Sequence, residues 1–339
     1  RSPHATCGLD GVHGSAGPLR NWWNPLLVCW RFAEPFDSIL VIKRSGPRLR
    51  NPIMKNLKSI LAGSALALLS LSACSTTNTQ GQYTPSSNWT SSFLSQVVGG
   101  QTVPEGVNNW ACRPTNGQNP VVLIHGTFSS TMYSFGALGP ALANEKLCVY
   151  SMDYGAAKPG DWFKGVGPVD ESAKLIADFV VSVKTATGHD KVTLVGHSQG
   201  GLIGFYYLKM LKGDQHVDRF VALAPSVNGT VIAKTPDRKL VEYCVACADQ
   251  HPKSALLAKL QEGRITVPGV DYSVLVTKND KVVLPVEKQF VNEPGVQNIY
   301  VQDLFPGKRV SHSGILYDTE TLDLITQLVK GQAPQTASK

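Results

Sequence analysis

Short apolar runs recur along the chain from about residue 121 onward, and most are bounded by glycine or polar residues. Apolar runs of about four to eight residues are typical of strands that are buried on both faces of a sheet. The predicted strands cover Val121–Ile124, Cys148–Met152, Val192–Val195, Arg219–Ala224, Tyr272–Thr277 and Gln297–Val301.

Stretches with helical spacing separate these runs. In residues 169–187, apolar side chains recur at helical spacing between Pro168 and Gly188, which favour the start and the end of a helix. Residues 201–211 are almost all apolar, which indicates a central, buried helix. Shorter helices are predicted over residues 138–144 and 322–329.

The alternation of strands and helices predicts an α/β fold, with a mostly parallel sheet covered by helices on both faces. Residues 103–332, roughly 230 in number, are enough for one domain with a single core. Residues 226–268 interrupt the alternation near the carboxyl ends of two strands, where the sites of α/β proteins form. We expect this insertion to be either a cap or lid over a site or a structural excursion.

A secretory signal is predicted over residues 54–73. Met54 and Lys55 begin a short basic region, and the apolar core that follows is too short for a membrane span of about 20 residues. The signal ends in Leu-Ser-Ala before Cys74, the pattern at which bacterial lipoproteins are cleaved and lipidated on the cysteine. The polar residues 74–102 are expected to form a flexible tether, and the protein to be exported as a cell-envelope lipoprotein, in the outer membrane, or secreted.

Residues 1–53 mix Trp, Pro and Arg without a usable period, and they begin with Arg1 rather than Met. We interpret them as translated sequence upstream of a start at Met54. A leader of another kind is the alternative. In both cases these residues stay outside the predicted fold.

The formal net charge of +7 suggests a nucleic-acid or membrane-surface partner. The basic excess, however, lies in residues 1–73, because residues 74–339 hold 23 basic and 22 acidic residues. A near-neutral globular part argues against nucleic acid as a partner. The lipidated Cys74 makes a membrane the expected partner, and the oligomeric state is left open.

Of the seven cysteines, Cys7 and Cys29 lie before the signal segment and Cys74 directly follows it. The other four are Cys112, Cys148, Cys244 and Cys247, and an even number in an exported domain favours disulfides. Of the three possible pairings we favour Cys112 with Cys148 and Cys244 with Cys247. The second pair closes a C-x-x-C loop inside the insertion. No metal motif is visible, and no cofactor is expected.

The most informative motif is Gly196-His-Ser198-Gln-Gly200, which stands between an apolar strand and an apolar helix. This pattern is typical of a nucleophile elbow, a sharp turn that holds a serine hydroxyl clear of the sheet. The serine adopts a strained backbone conformation there, and glycine at both flanking positions avoids collisions across the turn.

A serine nucleophile needs a base, and the base needs an orienting carboxylate. In enzymes with this elbow the acid and then the histidine follow the serine along the chain. Three histidines follow Ser198: His216 lies just after the central helix, His251 lies in the insertion, and His312 lies after the last predicted strand. His312 is therefore the predicted base.

Two carboxylates could orient His312. Asp280 follows one predicted strand directly, and Asp303 follows the next. We favour Asp280 as the acid. Asp303 stands on the segment that leads into the loop of His312, where a carboxylate is expected to have a structural role.

Attack on an ester builds negative charge on the carbonyl oxygen, which backbone N–H groups must stabilise. Gln199 directly follows the nucleophile and supplies one predicted donor. Thr127 supplies the other, from the loop His125-Gly126-Thr127-Phe128, and its hydroxyl could add a third hydrogen bond. His125 is expected to brace this loop.

Several segments together resemble the bacterial class 2 lipases. They are Val-Leu-Ile-His-Gly-Thr-Phe (122–128), Cys-Val-Tyr-Ser-Met-Asp-Tyr-Gly (148–155), Val-Gly-His-Ser-Gln-Gly-Gly (195–201), Leu-Ala-Pro-Ser (223–226), Cys-Val-Ala-Cys (244–247), Val-Pro-Gly-Val-Asp-Tyr (267–272) and Thr-Lys-Asn-Asp-Lys-Val-Val (277–283). The resemblance implies an α/β-hydrolase fold and a secreted carboxylic-ester hydrolase, often one that acts on acylglycerols. It places the nucleophile on Ser198, the acid on Asp280, the base on His312 and the oxyanion donors on Thr127 and Gln199.

The expected function is a serine hydrolase of carboxylic esters, a lipase or esterase that acts through an acyl-enzyme, and the expected partner at its site is a lipid or ester substrate. An acyltransferase with the same triad and an alcohol acceptor is one alternative. A non-catalytic envelope lipoprotein on the same fold is the other.

Overall fold

All six predicted strands form one parallel sheet. The computed structural model describes residues 82–115, 117–231 and 242–335. Neighbouring strands pair in the order β2-β1-β3-β4-β5-β6, and every pair is parallel. The strands are β1 (Val121–Ile124), β2 (Val149–Ser151), β3 (Val192–His197), β4 (Val217–Leu223), β5 (Asp271–Val276) and β6 (Val296–Tyr300).

Helices follow most of the strands and cover the sheet on both sides. The four helices predicted from spacing are present, with the central one starting at Gln199 rather than at residue 201. The helices of the described residues are α1 (Trp89–Val97), α2 (Thr131–Phe135), α3 (Leu138–Asn144), α4 (Val169–Thr187), α5 (Gln199–Met210), α6 (Val245–Asp249), α7 (Ala255–Leu260), α8 (Val301–Leu304) and α9 (Thr319–Val329).

Two buried clusters, one on each face, explain why the strands read as continuous apolar runs. In β1, Val122 and Ile124 pack with residues of α4 and α5, whereas Val121 and Leu123 pack with residues of α3 and α9. All four side chains are fully buried. A strand that is covered on both faces shows no polar alternation, because successive side chains point to opposite, equally apolar layers.

A flexible tether was predicted over residues 74–102. This prediction is wrong for the part that the structure describes, because residues 89–97 form helix α1. Asn88 and Ser91 make a capping box at the start of this helix. Trp89 and Phe93 both pack their rings against Tyr133 of α2. The sequence pattern did not predict this helix, because its buried face includes Ser92 and Gln96, polar residues that give no apolar stripe. Residues 1–73 and Cys74 lie outside the described residues.

Both predicted disulfides are present. Cys112–Cys148 ties the segment before β1 to the start of β2, and Cys244–Cys247 closes the start of α6 within the insertion. The described parts of the insertion are packed against the rest of the domain. The N–H of Ala246 donates to the carbonyl of Val166, at 3.1 Å. Within residues 82–115, 117–231 and 242–335, no helix has the length and apolar character needed to cross a membrane.

Candidate active site

Ser198 lies at the turn between β3 and α5 with φ 57° and ψ −120°, a backbone conformation that non-glycine residues rarely adopt. Hydrogen bonds hold the strained turn in place. The N–H of Ser198 donates to the carbonyl of Leu223, at 2.9 Å, and its own carbonyl accepts from the N–H groups of Gly201 and Ser226, at 3.0 and 3.2 Å. The predicted elbow is therefore formed, with β4 and the residues after it as its support.

The two glycines of the elbow are required by close backbone contacts. A Cβ atom at Gly196 would overlap the carbonyl group of Gly200, across the turn as the sequence predicts. A Cβ atom at Gly200 would instead overlap the carbonyl oxygen of Ile124, at the end of the neighbouring strand β1. Gly200 thus allows α5 to approach β1 closely. This contact between distant segments cannot be predicted from the motif alone.

His312 and Asp280 form a buried pair beside this elbow. The Nδ1 atom of His312 lies 2.6 Å from Oδ2 of Asp280. The other carboxylate oxygen accepts hydrogen bonds from the N–H groups of Val282 and Val283, at 2.7 and 3.0 Å. Burial by itself would raise the pKa of Asp280, but the hydrogen bonds from His312 and these two N–H groups lower it below its usual value. The Asp280 side chain is therefore an ionised acceptor at neutral pH.

His197 connects the elbow to the histidine loop. Its Nε2 atom lies 3.0 Å from the carbonyl oxygen of His312, and the two imidazole rings are 4.7 Å apart. A carbonyl oxygen only accepts, so Nε2 of His197 carries the proton. Burial lowers the pKa of His197 to about 3, and the neighbouring His312 contributes to the same shift. Because His197 directly precedes Ser198, this bond holds the loop of His312 against the elbow.

His197→Gln should flatten the acid dependence of stability. The unfolded chain binds a proton at His197 near pH 6.5, whereas the folded state excludes it until about pH 3. The stabilisation that the neutral, buried ring gives to the folded state is therefore fully present above pH 6.5. It is lost as the pH falls toward 3, because protonation of the ring then favours the unfolded chain. Urea midpoints at pH 7 and pH 4.5 should differ more in the parent protein than in the variant. Equal differences would contradict this role of His197.

The loop after β1 approaches the nucleophile. A Cβ atom at Gly126 would lie only 3.1 Å from Cβ of Ser198, so the backbone of this loop passes directly beside the serine. The N–H groups of Thr127 and Gln199 donate to no protein acceptor within the described residues. Two unused donors beside a nucleophile are what an oxyanion hole needs.

The comparisons with known proteins agree with this geometry. A family model described as the alpha/beta hydrolase fold matches residues 119–241, which include β1, the loop with Thr127 and the elbow. The chain has the α/β-hydrolase fold. Asp280 and His312 lie beyond the matched range, so only the structure brings them to the elbow.

Solved structures that this chain is similar to include several hydrolases. Lipase B from Aspergillus fumigatus is 20% identical with a TM-score of 0.53; the match covers 70% of this chain and 56% of that lipase's length. The mature lipase BlEst2 from Bacillus licheniformis is 15% identical with a TM-score of 0.47, over 64% of this chain and 94% of that one. A pyrethroid hydrolase from Sphingobium faniae JZ-2 is 15% identical with a TM-score of 0.43, over 62% and 97%.

The other candidate acid and the other two candidate histidines make different contacts in the structure. Asp303 lies on α8, where its carboxylate is 58% exposed and pairs with Lys278. His216 contacts Lys184 through Nδ1, at 2.7 Å, and Nδ1 of His251 accepts from the N–H of Lys253. Among the described residues no group of three or more His, Cys, Asp or Glu could hold a metal ion.

His125 braces the loop after β1, as the sequence suggests. It is fully buried and stacks on Tyr154, with 4.1 Å between the ring centroids. Burial lowers its pKa, so the ring is neutral. Its Nδ1 atom lies 2.9 Å from the carbonyl of Gly126, and the hydroxyl of Tyr154 donates to the carbonyl of His125. These contacts fix the backbone that leads into Thr127.

Three residues that support the site were not predicted from the sequence. His197 is described above, and Gln289 donates from Nε2 to Oδ2 of Asp280, at 2.9 Å. Gln250 of the insertion contacts the hydroxyl of Thr127, at 2.9 Å. Of the three, only His197 is marked in the sequence, by its place in the elbow motif next to the nucleophile. The two glutamines act across 9 and 123 positions of sequence, and no local pattern marks them.

Proposed function

We propose that the protein is a serine hydrolase of carboxylic esters, of lipase or esterase type. One observation carries the proposal: a serine in a strained elbow stands beside a buried, hydrogen-bonded pair of histidine and aspartate. Strain of this kind persists only where the surroundings enforce it, and it concentrates at functional sites. The pair supplies the base and the orienting carboxylate that a serine hydroxyl needs.

In the proposed reaction, the hydroxyl oxygen of Ser198 attacks the acyl carbon while Nε2 of His312 takes its proton. Nδ1 of His312 is engaged by Asp280, which fixes the tautomer and stabilises the imidazolium ion. The backbone N–H groups of Thr127 and Gln199 donate to the developing oxyanion. Nε2 then returns the proton to the leaving alcohol, and a water molecule repeats the sequence to release the acid and free Ser198.

Aromatic side chains beside Thr127 favour esters with an apolar acyl chain. Phe128 follows Thr127, is 38% exposed, and stacks on Tyr243 of the insertion, which is 41% exposed. A bridge between Ser129 and Lys164 joins this loop to the one that carries the exposed Phe163. An acyl chain bound at Ser198 can cover this exposed aromatic surface.

Phe128→Ala should selectively impair long-chain esters. If an acyl chain covers about 60 Å² of the ring, the loss is about 1.5 kcal/mol, or about tenfold in kcat/KM. We expect this loss on p-nitrophenyl octanoate and little change on the acetate. Leu175→Ala, an exposed apolar position on α4, is the matched control and should leave both values unchanged. An equal loss on both esters would show that Phe128 shapes the loop rather than contacting the acyl chain.

Labelling with a fluorophosphonate, followed by assays with p-nitrophenyl esters, tests the proposed function. The hydrolase should be labelled and should release free acid. Labelling with transfer of the acyl group to an added alcohol in preference to water would favour an acyltransferase. Absence of labelling would favour a non-catalytic protein on this fold.

We also propose export and anchoring through a lipid on Cys74, which lies outside the described residues. The support is the sequence of residues 54–74 alone. Incorporation of a labelled fatty acid by cells that express the full chain tests this, and a protein without the label would contradict it.

A further inference from the structure

Gln250 links the insertion to the loop that carries Thr127. It directly follows α6, and only 6% of it is exposed. Its side-chain amide makes three hydrogen bonds. Nε2 donates to the carbonyl of Ala246, at 3.0 Å, and to Oγ1 of Thr127, at 2.9 Å, and Oε1 accepts from the hydroxyl of Ser226, at 2.8 Å.

The chemistry of these partners fixes the orientation of the Gln250 amide. The carbonyl of Ala246 can only accept, so the nitrogen end must face it. The second N–H of the same nitrogen then points to Thr127. The backbone of Gln250 is held as well, because its N–H donates to the carbonyl of Ala246 and its carbonyl accepts from the N–H of Thr230, both at 3.0 Å.

This orientation determines what the hydroxyl of Thr127 does. Its oxygen accepts from Gln250, so its proton is not used in that bond. Within residues 82–115, 117–231 and 242–335, the Thr127 hydroxyl donates to no protein acceptor. Thr127 therefore has two unused donors beside Ser198, its backbone N–H and its hydroxyl.

Resting on the proposed function, we propose that Gln250 is a positioning residue for the oxyanion hole. By occupying a lone pair of Oγ1 it directs the O–H of Thr127 toward the ester oxygen as a third donor, beside the N–H groups of Thr127 and Gln199. The donor is oriented before the substrate arrives, and preorganised donors are the ones that stabilise a transition state most effectively. The insertion thereby contributes directly to the chemistry of the site.

A double-mutant cycle of Gln250→Met and Thr127→Val tests the inference. Methionine fills the same space without the amide, and valine removes the hydroxyl but keeps the backbone N–H. Gln250→Met should lower kcat about tenfold with KM unchanged, less than the roughly hundredfold cost of deleting a whole donor, since the hydroxyl remains. The double variant should match Thr127→Val within about twofold, because Gln250 has nothing left to orient. Thr127→Ser, which keeps a hydroxyl at this position, should retain nearly full activity when Gln250 is present and lose about tenfold when it is combined with Gln250→Met.

Affinity for a trifluoromethyl ketone, which forms an oxyanion on Ser198, should fall with kcat in Gln250→Met. Affinity for the carboxylic acid product should not fall. Gln261→Met is the matched control, because Gln261 also lies in the insertion but its amide contacts Asn228 and is exposed. Independent, multiplying losses in the cycle, or a loss confined to KM or to stability, would overturn the inference while the proposed function stands. A wild-type protein without fluorophosphonate labelling or ester hydrolysis would overturn both.

Discussion

Ser198→Ala should lower kcat for ester hydrolysis by about a millionfold, leaving only the residual rate that binding and the oxyanion donors supply. Alanine removes the one atom that forms the acyl bond. It keeps the backbone of the elbow, which is held by Leu223, Gly201 and Ser226 rather than by the hydroxyl. We therefore expect an unchanged thermal midpoint. The measurement is initial-rate kinetics on p-nitrophenyl butyrate.

Ser273→Ala is the control for this experiment. Ser273 lies on β5, where its hydroxyl contacts Gln297 at the surface. Its replacement should leave kcat unchanged. Substantial activity in Ser198→Ala would show that another group is the nucleophile, and a loss in both variants would indicate a general loss of folding.

Asp280→Asn should lower kcat by about ten-thousandfold, the loss typical of a triad whose histidine is held in the wrong tautomer. The N–H groups of Val282 and Val283 require an oxygen at the position of Oδ1. The asparagine nitrogen must therefore face Nδ1 of His312 and donate to it. That places the imidazole proton on Nε2, where His312 can no longer accept the proton of Ser198.

The matched control is Asp303, the carboxylate that the sequence offered as the alternative acid. Asp303→Asn removes one charge from an exposed ion pair with Lys278, and we expect less than a twofold change in kcat. Both variants should be compared at the same pH, with circular dichroism as a check of folding. If Asp303→Asn caused the large loss instead, the pair of His312 and Asp280 would not be the working one.

How much the sequence predicts depends on the range of the interactions that fix each feature. Helix α4 could be predicted because its boundaries, Pro168 and Gly188, and its apolar stripe are all local. The elbow could be predicted for the same reason. Helix α1 could not, since it is stable against α2 through two aromatic rings while its buried face also carries Ser92 and Gln96.

The site shows the same limit. Order along the chain was enough to propose His312 and to favour Asp280 over Asp303, but the burial of Asp280 and its hydrogen bond to His312 appear only in the structure. The contacts of His197 with the carbonyl of His312 and of Gln250 with Thr127 span 115 and 123 positions. Such pairs arise from the arrangement of the sheet, which brings distant loops to one edge.

Mass spectrometry of the protein quenched during turnover of a slow ester tests the central claim most directly. Tryptic cleavage yields residues 192–209, in which Ser198 is the one serine. We expect this peptide to gain the mass of the acyl group, with fragment ions that place it on Ser198, and to lose it on further incubation in water. Continued turnover with no acylated peptide, or an acyl group on another residue, would contradict the account.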